Sequence, residues 1–229
     1  TVTTGLAQFA SAQIRVATWN VAGFRGEATS IFTVIDELSL DNHAVPAADL
    51  SVIVLQEVRS DDYQALLNGL GAQWSSATYT NSSEDNYGGA QACFYRADQL
   101  IEVTAGHDDL YTGAGRRCDR WQFQLLGHTD PIVDFYLYSA HLKAGTGSTN
   151  EADRLTGANR ILEDLEKLPP GTAAVVCGDL NLYDNGEPAY IALTGVLHDE
   201  LGTGSWGGAG NAIKHTQSPR TISADGLAS

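Results

Sequence analysis

Four stretches of this chain are too apolar to leave in water, and each stops at a polar residue that is costly to bury without a partner. The most demanding is 50–58, where Leu50-Ser51-Val52-Ile53-Val54-Leu55 runs into Gln56-Glu57. A near-continuous apolar run of this length reads as a strand covered on both faces. Residues 14–20 alternate and end at Asn20, residues 132–140 lead into His141, and residues 173–177 lead into Gly178-Asp179-Leu180-Asn181. A carboxylate or amide at the end of a core strand must be paired or liganded. One polar strand end is an ordinary turn. Four with these identities predict a shared polar site at one rim of packed sheets.

The rest of the chain supplies the other layers. Ile31, Val34, Ile35 and Leu38 fall at helical spacing within 29–40, and Asp61 opens a short helix over 61–70. Leu155, Ala158, Ile161, Leu162 and Leu165 form the stripe of the clearest helix, 150–168, which Pro169-Pro170-Gly171 stops. Further strands are predicted at 90–95 and 121–126. No repeat or low-complexity linker divides the chain. It therefore reads as one α/β domain over 14–229, rich in strands, with layered sheets rather than a doubly wound parallel one. Gly202 to Gly210 reads as a loop, and no run approaches a membrane-spanning length. Ala10-Ser11-Ala12 before Gln13 resembles a signal-peptidase site, so 1–13 reads as a signal-peptide remnant or N-terminal tail and favours a secreted or periplasmic protein. The three cysteines exclude a complete disulfide framework; they leave room for one Cys93–Cys118 bridge, with Cys177 a buried thiol.

A net charge of −15 argues against a stoichiometric DNA-binding module, which must neutralise phosphates, but less against an enzyme whose contact is brief. The oxygen-rich strand ends suit phosphodiester hydrolysis around a hard cation, which takes one or two carboxylates and keeps several waters. Glu57 suits the ligand role, with Asn20 a neutral oxygen donor beside it. Asp179 would orient or deprotonate the attacking water, Asn181 would contact the phosphate, and His141 would donate a proton or a hydrogen bond. Taken singly, Asn20 is a turn cap and His141 a structural histidine; only the ensemble promotes them. His43, His107, His128 and His198 read as surface residues, and Glu84-Asp85 and Asp108-Asp109 as solvated loop charges.

Thr18-Trp19-Asn20-Val21, Leu55-Gln56-Glu57-Val58, Ser139-Ala140-His141-Leu142-Lys143 and Gly178-Asp179-Leu180-Asn181 occur in an order and spacing that resemble the endonuclease/exonuclease/phosphatase family. The likeness runs over about residues 14–190. It implies a four-layer α/β/β/α sandwich of two mainly antiparallel sheets with the site at one edge. It implies Glu57 as principal metal ligand with Asn20 nearby, Asp179 and Asn181 around nucleophile and phosphate, and His141 as a phosphate-contacting acid. The metal expected is Mg²⁺, with Mn²⁺ or Ca²⁺ as alternatives. The family often places an Arg at the start of the strand before the His strand; Arg120 fits that position best, Arg117 second. His141-Leu142-Lys143-Ala144 with Asn150-Glu151 and Arg154, and His215-Thr216-Gln217-Ser218-Pro219-Arg220, are similar to a secreted bacterial, nuclease-like subgroup. The departure is C-terminal: the family's further Asp strand and Ser-Asp-His motif have no counterpart, His215 and Asp225 being the late candidates. The last strands are thus expected to be missing, or supplied by a retained C-terminal peptide. The resemblance implies a nuclease acting on DNA or RNA. The alternatives are a phosphoesterase for phospholipid or small phosphorylated substrates, and a disabled member acting as a binding domain. The Trp206 loop is too polar for a membrane hairpin.

Overall fold

The computed structural model describes residues 14–24, 28–40, 49–81, 90–128 and 133–199. The expectations placed on 1–13, His43, Glu84-Asp85, the Trp206 loop, His215 and Asp225 lie outside them.

Two sheets pack face to face, each covered by helices. The first has the order β1-β2-β4-β3, from β1 (Arg15–Asn20), β2 (Leu50–Val58), β3 (Trp74–Ser76) and β4 (Ala90–Arg96). The second has the order β5-β7-β8-β9, from β5 (Leu100–Glu102), β7 (Arg116–Leu125), β8 (Phe135–His141) and β9 (Ala173–Asp179), with β6 (Asp108–Gly113) also paired to β7. The β1–β2 and β8–β9 pairs are parallel and the others antiparallel. Helices α1 (Ala28–Leu40) and α2 (Ser60–Leu70) close the outer face of the first sheet, where Ile31, Ile35 and Leu66 meet Ile53, Leu55 and Phe94. Helix α3 (Ser148–Leu165) covers the second sheet through Ile161 against Tyr138, Ala140 and Leu142. Helix α4 (Pro188–Thr194) packs Ala189 and Leu193 against Ala158 of α3. This is the four-layer sandwich expected.

Strand alternation explains the layering. In β2, Val52 and Val54 point into the inter-sheet core while Ile53 and Leu55 point at the helices, so both faces are apolar and no alternation shows. Facing them across the interface are Trp121 and Phe123 of β7 and Phe135 and Leu137 of β8. Cys93 lies in this inner layer and Cys118 under α3, on opposite faces, so the Cys93–Cys118 bridge does not form, and none of the three cysteines is in a disulfide. Burial pushes the Cys177 thiol up to about 12.

β7 begins at Arg116, five residues before the expected start. Its first half, Arg116-Arg117-Cys118-Asp119-Arg120, hides from hydropathy because its charges are paired within the fold: Arg117 with Asp109, and Arg120 with Asp164. β6 carries no hydropathy signal for the same reason. Asp108 and Asp109, expected as loop charges, are its first two residues. His107 is not a surface residue: its Nε2 lies 2.9 Å from Thr80 Oγ1, its Nδ1 3.1 Å from the Arg120 carbonyl oxygen, and its ring stacks on Trp121.

Candidate active site

The inner-facing rows of side chains change character at one end of the sandwich. Along β1 the row runs Val16, Thr18, Asn20; along β2, Val52, Val54, Gln56; along β8, Phe135, Leu137, Ser139, His141; along β9, Cys177, Asp179, with Thr18 and, on the same face of β9, Val175 left exposed on the outermost strands. Apolar residues fill the layer, and polar ones arrive together at the rim. Glu57 has the wrong parity to join them. A bulge brings it in: the β2–β4 pairing slips between Leu55 and Val58, and Glu57 takes φ 58°. Asn181 also has a left-handed φ, 50°. Such conformations in non-glycine residues persist only where the surroundings impose them. Gly178, at φ 121°, lets β9 lie close on β8, since a β-carbon there would collide with the Ala140 carbonyl.

Asn20 is the hub. Its Nδ2 donates to Glu57 Oε1 at 3.0 Å and to Asp179 Oδ2 at 2.8 Å, while its Oδ1 accepts the Ala22 N–H at 2.9 Å. In this geometry Asn20 is a donor between two carboxylates rather than an oxygen ligand. His141 Nε2 stands 3.8 Å from Glu57 Oε1 and 3.9 Å from Asp179 Oδ2. Its Nδ1 lies 3.1 Å from Arg116 Nη1. A guanidinium can only donate, so Nδ1 must be the acceptor and the proton sits on Nε2, facing the carboxylates. Burial, reinforced by the Arg116 charge and opposed by Asp179, holds the His141 pKa down at about 4, so the ring is neutral at physiological pH. The Asn181 backbone N–H donates to Asp179 Oδ1 at 3.1 Å, and its side-chain amide donates to the Leu142 carbonyl at 3.1 Å. Behind the cluster, Gln56 Nε2 donates to Thr18 Oγ1 at 3.0 Å and to Ser139 Oγ at 3.1 Å, joining the two sheets.

The structure thus brings Asn20, Glu57, His141 and Asp179 together, with Asn181 beside Asp179. It does not bring Arg120. That side chain binds Asp164 of α3 through Nη1 and the Gly106 carbonyl through Nε, and lies against the Tyr136 ring. Arg117 bonds Asp109. The arginine beside His141 is Arg116, the first residue of β7, where the expected strand began only at Trp121. A strand taken to begin at its first charged residue would have found it.

Among the described residues no group of three or more His, Cys, Asp or Glu is set to hold a metal by itself. The donor chemistry nevertheless fits a hard cation. Two carboxylate oxygens converge on one amide nitrogen, and both carboxylates are partly open to solvent, which can supply the remaining ligands. Glu57 and Asp179 would hold such an ion.

No helix among the described residues is long and apolar enough to cross a membrane. No curated protein matches the chain by sequence. Among solved structures it is similar to an endonuclease/exonuclease/phosphatase family protein from Bacteroides thetaiotaomicron, at 18% identity and TM-score 0.59 over 80% of this chain and 68% of that one. It is also similar to a mannosyl-6-phosphatase of Bacteroides thetaiotaomicron, at 15% identity and TM-score 0.60 over 80% and 70%. The human Nocturnin catalytic domain with bound sulfate matches at 20% identity and TM-score 0.57 over 77% and 67%. At these identities the likeness is one of fold. The sequence profile of the Endonuclease/Exonuclease/phosphatase family matches residues 17–222, nearly the whole chain, and supports a phosphoesterase or nuclease type of activity. With that match on top of the sandwich and its rim of strand-end polar residues, the chain belongs to the endonuclease/exonuclease/phosphatase family.

Proposed function

We propose that this chain is a divalent-metal-dependent phosphodiesterase, secreted or periplasmic, and that its substrate is nucleic acid. The observation that carries the reading is the convergence of Glu57 and Asp179 on Asn20, faced by a neutral His141. Mg²⁺ held by Glu57 and Asp179, or Mn²⁺ or Ca²⁺ in its place, would supply Lewis-acid stabilisation of charge on the phosphate. Asp179 accepts the proton of the attacking water, and Asn20 fixes that carboxylate's orientation. Asn181 holds the loop against which the phosphate rests. His141 works as a hydrogen-bond donor through Nε2–H to a phosphate oxygen, because a group with a pKa of about 4 holds no second proton to give at neutral pH. Arg116, rather than Arg120, is the arginine of the site: it donates to His141 Nδ1 and so keeps the ring in the tautomer that presents Nε2–H.

The test is nicking of supercoiled plasmid with Mg²⁺. Nicking is expected to vanish with EDTA and to fall at least about 100-fold in Glu57→Gln. Normal nicking by Glu57→Gln would sink the site. A second reading, a small phosphorylated substrate or phospholipid head group, is favoured by the net charge of −15. Turnover of such esters without plasmid nicking would establish it, and metal binding without any turnover would mark a binding domain.

A further inference from the structure

The segment after His141 and the segment after Asp179 are tied together by one buried ion pair that belongs to neither strand. Arg154 of α3 is completely buried. Its Nε donates to Glu187 Oε2 at 2.7 Å, and its Nη1 donates to the carbonyls of Lys143 at 2.9 Å and Gly145 at 2.8 Å. Glu187, also buried, accepts the Tyr183 backbone N–H at 2.7 Å through its other oxygen. The Tyr183 ring covers the guanidinium at 5.2 Å, and its hydroxyl accepts the Gly145 N–H at 3.2 Å. Nearer the cluster the same two segments meet directly. The Leu142 N–H donates to the Asp179 carbonyl at 2.9 Å, and the Asn181 amide donates to the Leu142 carbonyl.

A buried ion pair is a poor source of stability, because desolvation offsets most of the attraction and an apolar pair of similar volume often does as well. Its distinctive property is direction: a planar fork with fixed donors addresses several acceptors at set angles. Among the described residues, every backbone group that the Arg154 and Glu187 side chains bind lies in 143–145 or at Tyr183, within four residues of His141 or Asp179. We infer that Arg154 and Glu187 are positioning residues: a strut that fixes His141 and Asn181 relative to Asp179 through the loops that follow them. The inference rests on the reading of His141 and Asp179 as catalytic.

The test is the double variant Arg154→Met/Glu187→Met, with Arg154→Lys beside it, in the full chain. Methionine keeps side-chain volume and removes the fork. The double variant is expected to keep its Tm. Amide hydrogen exchange is expected to rise about tenfold in peptides covering 142–147 and 181–187 and to stay unchanged over 135–141 and 173–179. The kcat for bis(p-nitrophenyl) phosphate is expected to fall about 10- to 100-fold with KM within about twofold. Arg154→Lys, which keeps the charge on Glu187 but not both carbonyl bonds, should recover part of both readouts. Unchanged exchange in the two loops, or exchange raised throughout in step with a lost Tm, would overturn the strut. Exchange needs no substrate, so an enzyme inactive on every diester would refute the catalytic reading while the strut was still decided. Should the double variant not fold, exchange in Arg154→Lys alone decides it.

Discussion

Arg116 and Arg120 lie four residues apart on one strand, about 13 Å, and that distance separates two jobs. Arg116 meets the ring of His141; Arg120 meets a buried carboxylate on α3. Arg116→Met is expected to lower kcat/KM about 100-fold with little change in Tm. Arg120→Met is expected to cost about 3 kcal/mol in urea unfolding while activity per folded molecule persists. It strips the guanidinium from Asp164, and the remaining Tyr138 hydroxyl and Lys167 only soften the loss. Equal kinetic losses in both variants would refute the division. His141 yields a pH prediction. Its folded pKa of about 4 lies below the ordinary 6.5, so the unfolded chain takes up the proton first as pH falls. Its contribution to stability is whole above 6.5 and is lost as pH falls through about 4. In metal-free buffer, His141→Gln should therefore show a shallower loss of stability than the native chain across that window. Parallel curves would contradict the buried neutral ring. At this scale Asn20, Glu57, His141 and Asp179 were legible because an apolar run that breaks off at a polar residue is conspicuous. Arg116 was not, since it follows Gly113-Ala114-Gly115 and opens a run of charges that carries no strand signal.

Elements were legible in proportion to how much they bury. β2 shows its bounds because both faces are covered; α3 shows itself because its stripe meets the second sheet and α4, though it runs 148–165 rather than the expected 150–168. β6 and the first half of β7 were invisible: their side chains find partners only once the strands are paired, Asp109 with Arg117 across the hairpin. The three-residue strands β3 and β5 are too short for any period to appear. The bulge in β2 was equally hidden, because nothing local in Gln56-Glu57-Val58 says that the ladder slips. The β8–β9 pair leaves no room for a side chain at residue 178. Gly178→Ala would force a β-carbon into the Ala140 carbonyl at a positive φ. It is expected to cost about 3 kcal/mol and to loosen His141 and Asp179, which face each other one register step on. A chemical denaturation midpoint unchanged by this substitution would mean that the strands do not approach as described.

For the molecule as a whole, 28 acidic against 13 basic residues set the long-range field. A DNA-binding protein loses affinity as salt rises. Here screening should relieve repulsion from a polyanion. Nicking at low substrate is therefore expected to quicken between about 20 and about 150 mM salt, while turnover of a small diester stays nearly flat. Nicking that slows over the same range would point to a basic track that the total charge conceals. The two halves of the candidate site also ride on different sheets, Asn20 and Glu57 on one, His141 and Asp179 on the other. Between them lies a greasy layer, and grease has no preferred offset: one sheet could creep past the other with little penalty. Gln56 acts as a dowel through that bearing. One amide holds a hydroxyl from each plate, and each hydroxyl sits two residues, a single rung, below Asn20 and His141. The inner apolar residues can then drift over evolutionary time without the halves losing alignment, whereas a shift at the dowel would be felt undiminished at the rim.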